Sequence, residues 1–180
     1  VGGNVATCSP AGDGLPVLAA HDAVVDIVNA DGRRSLPISE FMLGVKRTAL
    51  RNGELIESVT LPVLDGPQGY SKVGVRNAMV IAGASACVVL DREHRSVAVA
   101  LGSVGPTVLR CPEAEAHLAE VIDWEQLDVP VDQLDRFAEL VAAASRPISD
   151  HRSTADYRRH AVGVLAQRLV RRAALLERAA

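Results

Sequence analysis

The chain has 180 residues, 48% of them hydrophobic, which suits one good core or two small ones sharing an interface. A formal net charge of -3 excludes strong bulk attraction to nucleic acid or anionic lipid, and an aromatic content of 3% leaves too few rings for a base-stacking platform. Cys8, Cys87 and Cys111 are odd in number and form no CxxC pair, which argues against a disulfide scaffold or thiolate metal cluster and for reduced cysteines in a cytoplasmic protein.

Val1 to Gly14 is rich in Gly, Asn, Ser, Pro and Asp and reads as a loop with tight turns. Its opening, Val1-Gly2-Gly3-Asn4, lacks an initiator methionine and falls within what reads as a binding loop, so processing, a chosen start point or missing upstream sequence is expected. Gly2 and Gly3 let backbone amides approach a ligand closely, and successive amides in such a turn suit a phosphate. Asn4, Thr7 and Ser9 can add hydrogen bonds, and Asp13 can accept one from a ribose hydroxyl. The same residues also make an ordinary loop, and no complete GxGxxG or GxxxxGK[ST] motif is present.

Leu15 to Ala20 is predicted as a short helix. Val24 to Val28 reads as a strand that turns at Asp31-Gly32 and returns through Arg33 to Leu36. Ile38 to Gly44 reads as a helical turn with Phe41 inward, and Leu55 to Leu61 as a strand stopped by Pro62. Leu64 to Gly69, with Asp65-Gly66-Pro67, is the expected boundary between residues 1–66 and 70–180.

Tyr70 to Arg76, Ala84 to Leu90 and Ser96 to Leu101 then read as an antiparallel meander, followed by an extended piece reaching Arg110. In an extended segment Lys72, Gly74 and Arg76 share a face, with a gap at Gly74 between two cations that could admit a planar ring or an anionic edge; by pattern alone a solvated strand edge with ordinary surface charges is the commoner reading. The apolar run from Ile81 to Leu90 is too short for a membrane span, and no signal-peptide pattern precedes it.

Pro112 suits the first turn of a helix running to about Val121. Leu134, Phe137, Ala138, Val141 and Ala144 form a helical stripe. Ser153 and Asp156 resemble a capping pair at the head of a long helix whose inward face holds Tyr157, Ala161, Val164, Leu165, Leu169 and Ala173, with Arg158, Arg159, Arg168, Arg171 and Arg172 outside. Glu113, Glu115, Asp132, Asp135 and Glu139 read as outer faces of helices, and the five histidines show no ligand spacing. Strands first and helices last predict an α+β fold.

The order of these motifs resembles the FAD-binding subunit of the xanthine dehydrogenase and carbon monoxide dehydrogenase family of molybdenum hydroxylases. A TIGGN-like loop followed by SPxxD matches Val1 to Asn4 and Ser9 to Asp13. A GExLxxVxxP-type strand matches Gly53 to Pro62, and a KxxxR strand matches Lys72 to Arg76. A GxVxPTxxR-like turn matches Gly102 to Arg110, and a DxRxSAxYRRH-like stretch matches Asp150 to His160. Where the family often has paired arginines, this chain has Arg76-Asn77.

The resemblance implies a partial PCMH-type FAD-binding lobe in 1–66, then a small antiparallel sheet packed on a helix bundle in 70–180. It implies that Gly2, Gly3 and Asn4 hold the FAD phosphate region, that Ser9 and Asp13 contact the nucleotide portion, that Ile56 packs near the rings, and that Lys72 lies near the flavin. No catalytic side chain and no metal ligand are implied. The implied role is an FAD-carrying electron-transfer component that takes electrons from iron–sulfur clusters to an external acceptor. Its implied partners are a molybdenum-cofactor large subunit, a 2Fe-2S small subunit and an upstream fragment of the same flavin domain. The alternative is a docking module without cofactor.

Overall fold

The computed structural model describes residues 1–76 and 78–177; Asn77, one of the positions departing from the family's paired arginines, lies outside them. The architecture is α+β. It opens with helix α1 (Gly2–Thr7), where a loop is expected from composition. Two glycines weaken a helix, but Val5 and Cys8 are buried, and Cys8 closes the helix in the left-handed region, its N–H donating to Asn4 O and Val5 O at 3.2 and 3.1 Å. Apolar burial thus overrides local propensity. Helix α2 (Gly14–Ala20) follows and buries Leu15, Leu18, Ala19 and Ala20.

Strands β1 (Val24–Asn29) and β2 (Gly32–Pro37) form the hairpin, and its turn is held by Asn29 Oδ1, which accepts from the N–H groups of Asp31 and Gly32. The one-turn helix α3 (Ile38–Phe41) buries Phe41, then gives way to β3 (Met42–Gly44), which pairs with β4 (Arg47–Thr48). Strand β5 (Leu55–Thr60) completes an antiparallel sheet of order β2-β1-β5.

The second sheet is antiparallel in the order β6-β7-β8-β9, formed by β6 (Gln68–Val73), β7 (Ala84–Asp91), β8 (Ser96–Gly102) and β9 (Leu109–Arg110). Every residue of β7 is buried, because both faces of this sheet are covered. Ala84, Ala86, Val88 and Leu90 face one core, while Cys87 and Val89 face the other, with the period of two that a pleated strand imposes. The first face packs on α4 (Pro112–Val121), α5 (Val131–Ala144) and α6 (Ala155–Glu177); the second packs on α2 and the first lobe.

The long helix departs from its sequence reading in two ways. Thr154 Oγ1, not Ser153, accepts from the N–H of Tyr157 at 3.2 Å, because Ser153 is bonded back to Asp150 across a tight turn. This turn also sets the helix phase, so Tyr157 is exposed and Arg158 faces inward at 5% exposure. Arg158 is tolerated there because Nη1 donates to Ser103 O and Nη2 to Asp150 Oδ1. Glu115 also turns inward, where Arg110 and two backbone N–H groups bind it.

Candidate functional site

The loop between α1 and α2 is shaped by Asn4. A Cβ on Gly12 would lie 2.7 Å from Asn4 Nδ2, and one on Gly14 would lie 3.0 Å from Asn4 Oδ1, so both glycines are needed for the amide to fit. Asn4 Oδ1 is buried without a hydrogen-bond partner among the described residues. Gly12 N–H donates to Ser9 O at 2.8 Å, and Ser9 Oγ accepts from Ala11 N–H at 3.4 Å. By contrast, a Cβ on Gly2 or Gly3 would meet nothing within 4 Å, so this side of α1 is open space. Their N–H groups precede the first intrahelical bond, which Asn4 N–H makes to Val1 O.

At the end of this loop, Asp13 meets the second lobe. Lys72 Nζ on β6 donates to Asp13 Oδ2, and Tyr70 OH, two residues earlier on the same face of the strand, donates to Asp13 Oδ1 at 2.9 Å. Lys72 Nζ also donates to Val80 O at 2.9 Å. The Asp13 side chain is 49% exposed and Lys72 23%. Burial pushes the Tyr70 phenol above its ordinary range, and the Asp13 carboxylate adds to the shift, so Tyr70 acts as a donor. Each Asp13 oxygen keeps acceptor capacity beyond these bonds, enough for a hydroxyl of a bound ligand.

The structure therefore brings together two of the residues singled out in the sequence, Asp13 and Lys72. Ser9 stands on the wall of a separate cavity between the lobes. Ile56 pairs with Ile27 in the β1–β5 ladder and is half-buried against the first-lobe core. The shared face expected for Lys72, Gly74 and Arg76 does not form, because β6 ends at Val73. A Cβ on Gly74 would lie 2.2 Å from Val80 Cγ2, so glycine there permits a loop to close, with Gly83 N–H donating to Val73 O at 2.8 Å. Tyr70 was missed, although its spacing of two from Lys72 is the signal that finds it.

The open side of α1 at Gly2 and Gly3 offers backbone donors, and the Asp13–Lys72 pair offers a partly exposed carboxylate and ammonium, the donor and acceptor types that a cofactor with hydroxyl and anionic groups needs. Residues 1–64 match the FAD binding domain in molybdopterin dehydrogenase, and residues 70–173 match the CO dehydrogenase flavoprotein C-terminal domain. The chain is 33% identical to the glyceraldehyde dehydrogenase medium chain of Sulfolobus acidocaldarius over 92% of its own length and 58% of that relative. It is 30% identical to the carbon monoxide dehydrogenase medium chain of Afipia carboxidovorans, over 96% of this chain and 59% of the relative. Reconstituted CO dehydrogenase from Oligotropha carboxidovorans superposes with a TM-score of 0.82 at 29% identity, covering 96% of this chain and 60% of that one. The chain thus spans less than two thirds of the length of these relatives. By its matched domains and fold, it belongs to the FAD-binding flavoprotein family of the xanthine dehydrogenase and carbon monoxide dehydrogenase group of molybdenum hydroxylases.

Proposed function

We propose that this chain is part of an FAD-carrying electron-transfer component of a molybdenum-dependent hydroxylase, working in the cytoplasm with a molybdenum-cofactor large subunit and a 2Fe-2S small subunit. The observation that supports this most is the tandem match of residues 1–64 and 70–173 to two flavoprotein domains in family order. In this reading, residues 1–66 are the later portion of the FAD-binding domain and 70–180 its accessory domain. Bound FAD supplies the redox chemistry by accepting and releasing electrons.

The chain's own residues bind and orient. Gly2, Gly3 and Asn4 line the phosphate region, Ser9 and Asp13 serve the nucleotide portion, Ile56 packs toward the rings, and Lys72 places a positive charge near the flavin. The Lys72–Asp13 bond fixes that charge in position. Polypeptide outside these 180 residues completes the enclosure, since a tightly held cofactor needs contacts on most of its surface.

The test is gentle purification of the whole protein with its assembly partners and FAD supplied. Flavin released on denaturation and identified chromatographically as FAD, near one per chain, is the expected result. A colourless assembly would overturn the reading and leave a docking module.

A further inference from the structure

A second cavity, of about 500 Å³, lies where the loop between α1 and α2 and the turn between β3 and β4 face the helix bundle. Its size falls in the range of roughly 300–1,000 Å³ common for small-molecule sites. Its floor is fixed before any ligand arrives. Ser103 is buried, with φ 63°, and each of its polar groups is bonded to a different segment. Its N–H donates to Pro10 O at 2.8 Å, its Oγ donates to Ala82 O at 2.9 Å, and its O accepts from Arg158 Nη1 at 2.9 Å. Arg146 N–H donates to the next carbonyl, Val104 O, at 2.8 Å.

The charge around this floor is one-sided. Asp150 is the single carboxylate among the lining residues, and it is already engaged. It accepts from the N–H groups of Arg152 and Ser153 and from Arg158 Nη2, which hold its carboxyl below the usual carboxylate range. Lys46, Arg146 and Arg152 line the same cavity, are exposed, and form no ion pair among the described residues. Between these cations, Val45, Ile81 and Ile148 stay 56%, 55% and 71% exposed. Such a combination, an apolar wall under uncompensated positive charge, suits a ligand that is apolar at one end and anionic at the other.

We propose that this cavity binds a small amphipathic anion, with a carboxylate or phosphate on Arg146, Arg152 and Lys46 and an apolar or aromatic body against Ile81 and Ile148. It lies apart from the Asp13–Lys72 pair and is built around Ser103 and the three cations, sharing only Ser9 with the residues assigned to the flavin. Because its walls come from both lobes, an occupant holds them together and raises stability by mass action.

Titration calorimetry and thermal unfolding of the full protein test this, using phenyl phosphate, benzoate, inorganic phosphate and uncharged benzyl alcohol. Phenyl phosphate or benzoate is expected to bind saturably and raise Tm, with inorganic phosphate weaker and benzyl alcohol without effect. Which of the two binds more tightly distinguishes a phosphate from a carboxylate ligand. Arg146→Gln and Arg152→Gln are each expected to weaken binding about tenfold, as loss of a charge-assisted hydrogen bond does. Both side chains are exposed, so the unliganded Tm should not change, and Arg172→Gln, outside the cavity, should bind as the parent does. Absence of saturable binding by every probe would overturn the proposal, as would equal binding of benzyl alcohol or equal affinity in the variants. Loss of binding in the intact assembly would assign the surface to a subunit interface and also overturn it.

Discussion

Arg110 on β9 holds Asp22, just past α2, at 2.6 Å, so one guanidinium joins the second sheet to the first lobe. The same group donates to Ala19 O at 3.1 Å and, through Nε, to Glu115 Oε1 at 2.8 Å. The Glu115 side chain is 14% exposed, and its Oε1 also accepts from Val99 N–H, leaving little access for water to replace the cation. Arg110→Ala strands this carboxylate, and we predict a loss of about 2–4 kcal/mol, toward the low end for a partly exposed pair. Urea unfolding measures it; a loss under about 1 kcal/mol would mean that water compensates Glu115.

Gly163 inverts a common rule. Replacing a helix glycine with alanine ordinarily stabilises by roughly 1 kcal/mol. Here an added Cβ would lie 2.7 Å from Ala138 O, because α5 and α6 approach closely at this point. Gly163→Ala is therefore predicted to destabilise by about 1–3 kcal/mol through overpacking. A rise in Tm would show that the helices can separate freely.

Glu54 gives a pH-dependent signature. Arg34 grips it with two hydrogen bonds, at 2.8 and 2.7 Å, and Arg51 N–H adds a third at 2.7 Å. These partners, Arg34 foremost, bring its carboxyl from 4.5 down to about 2. A carboxyl lowered in the folded state stabilises fully above its unfolded value and loses that contribution as pH falls toward the folded value. The stability advantage of the parent over Glu54→Gln should therefore be constant above 4.5 and shrink between 4.5 and about 2. Denaturation midpoints of the two proteins across this window check it, and parallel curves would contradict it.

Lys72→Met tests the proposed flavin role. Removing a fixed cation disfavours the electron-rich form, so the midpoint potential in the intact assembly should fall. A drop on the order of 30 mV corresponds to about 1.4 kcal/mol for a two-electron couple. Unchanged potential and unchanged FAD affinity in a redox titration would confine Lys72 to bonding Asp13 and Val80.

Where chemistry is local, the sequence was readable. Asn29 and Asp31-Gly32 specify the hairpin between them, and the alternation in β7 and β8 announces a sheet. Motif order singles out Asp13 and Lys72 from positions 59 residues apart, and the fold brings the two side chains into contact. Long-range packing was not readable. Burial of Val5 makes a helix of glycine-rich chain, Val80 ends β6 early at Gly74, and a tight turn at Asp150 to Ser153 rotates α6 so that an arginine faces in. Arg110 reaches Asp22 and Ala19, 88 and 91 residues away in sequence, separations that no local pattern encodes.

Cys87, Val89 and Ala100 belong to the later part of the chain yet sit in one cluster with Val25 and Phe41. Residues 1–66 expressed alone would leave that surface bare and should aggregate. Conversely, a protease cut at the fully exposed Val63 should leave both pieces eluting together on gel filtration, because the wall between them is shared.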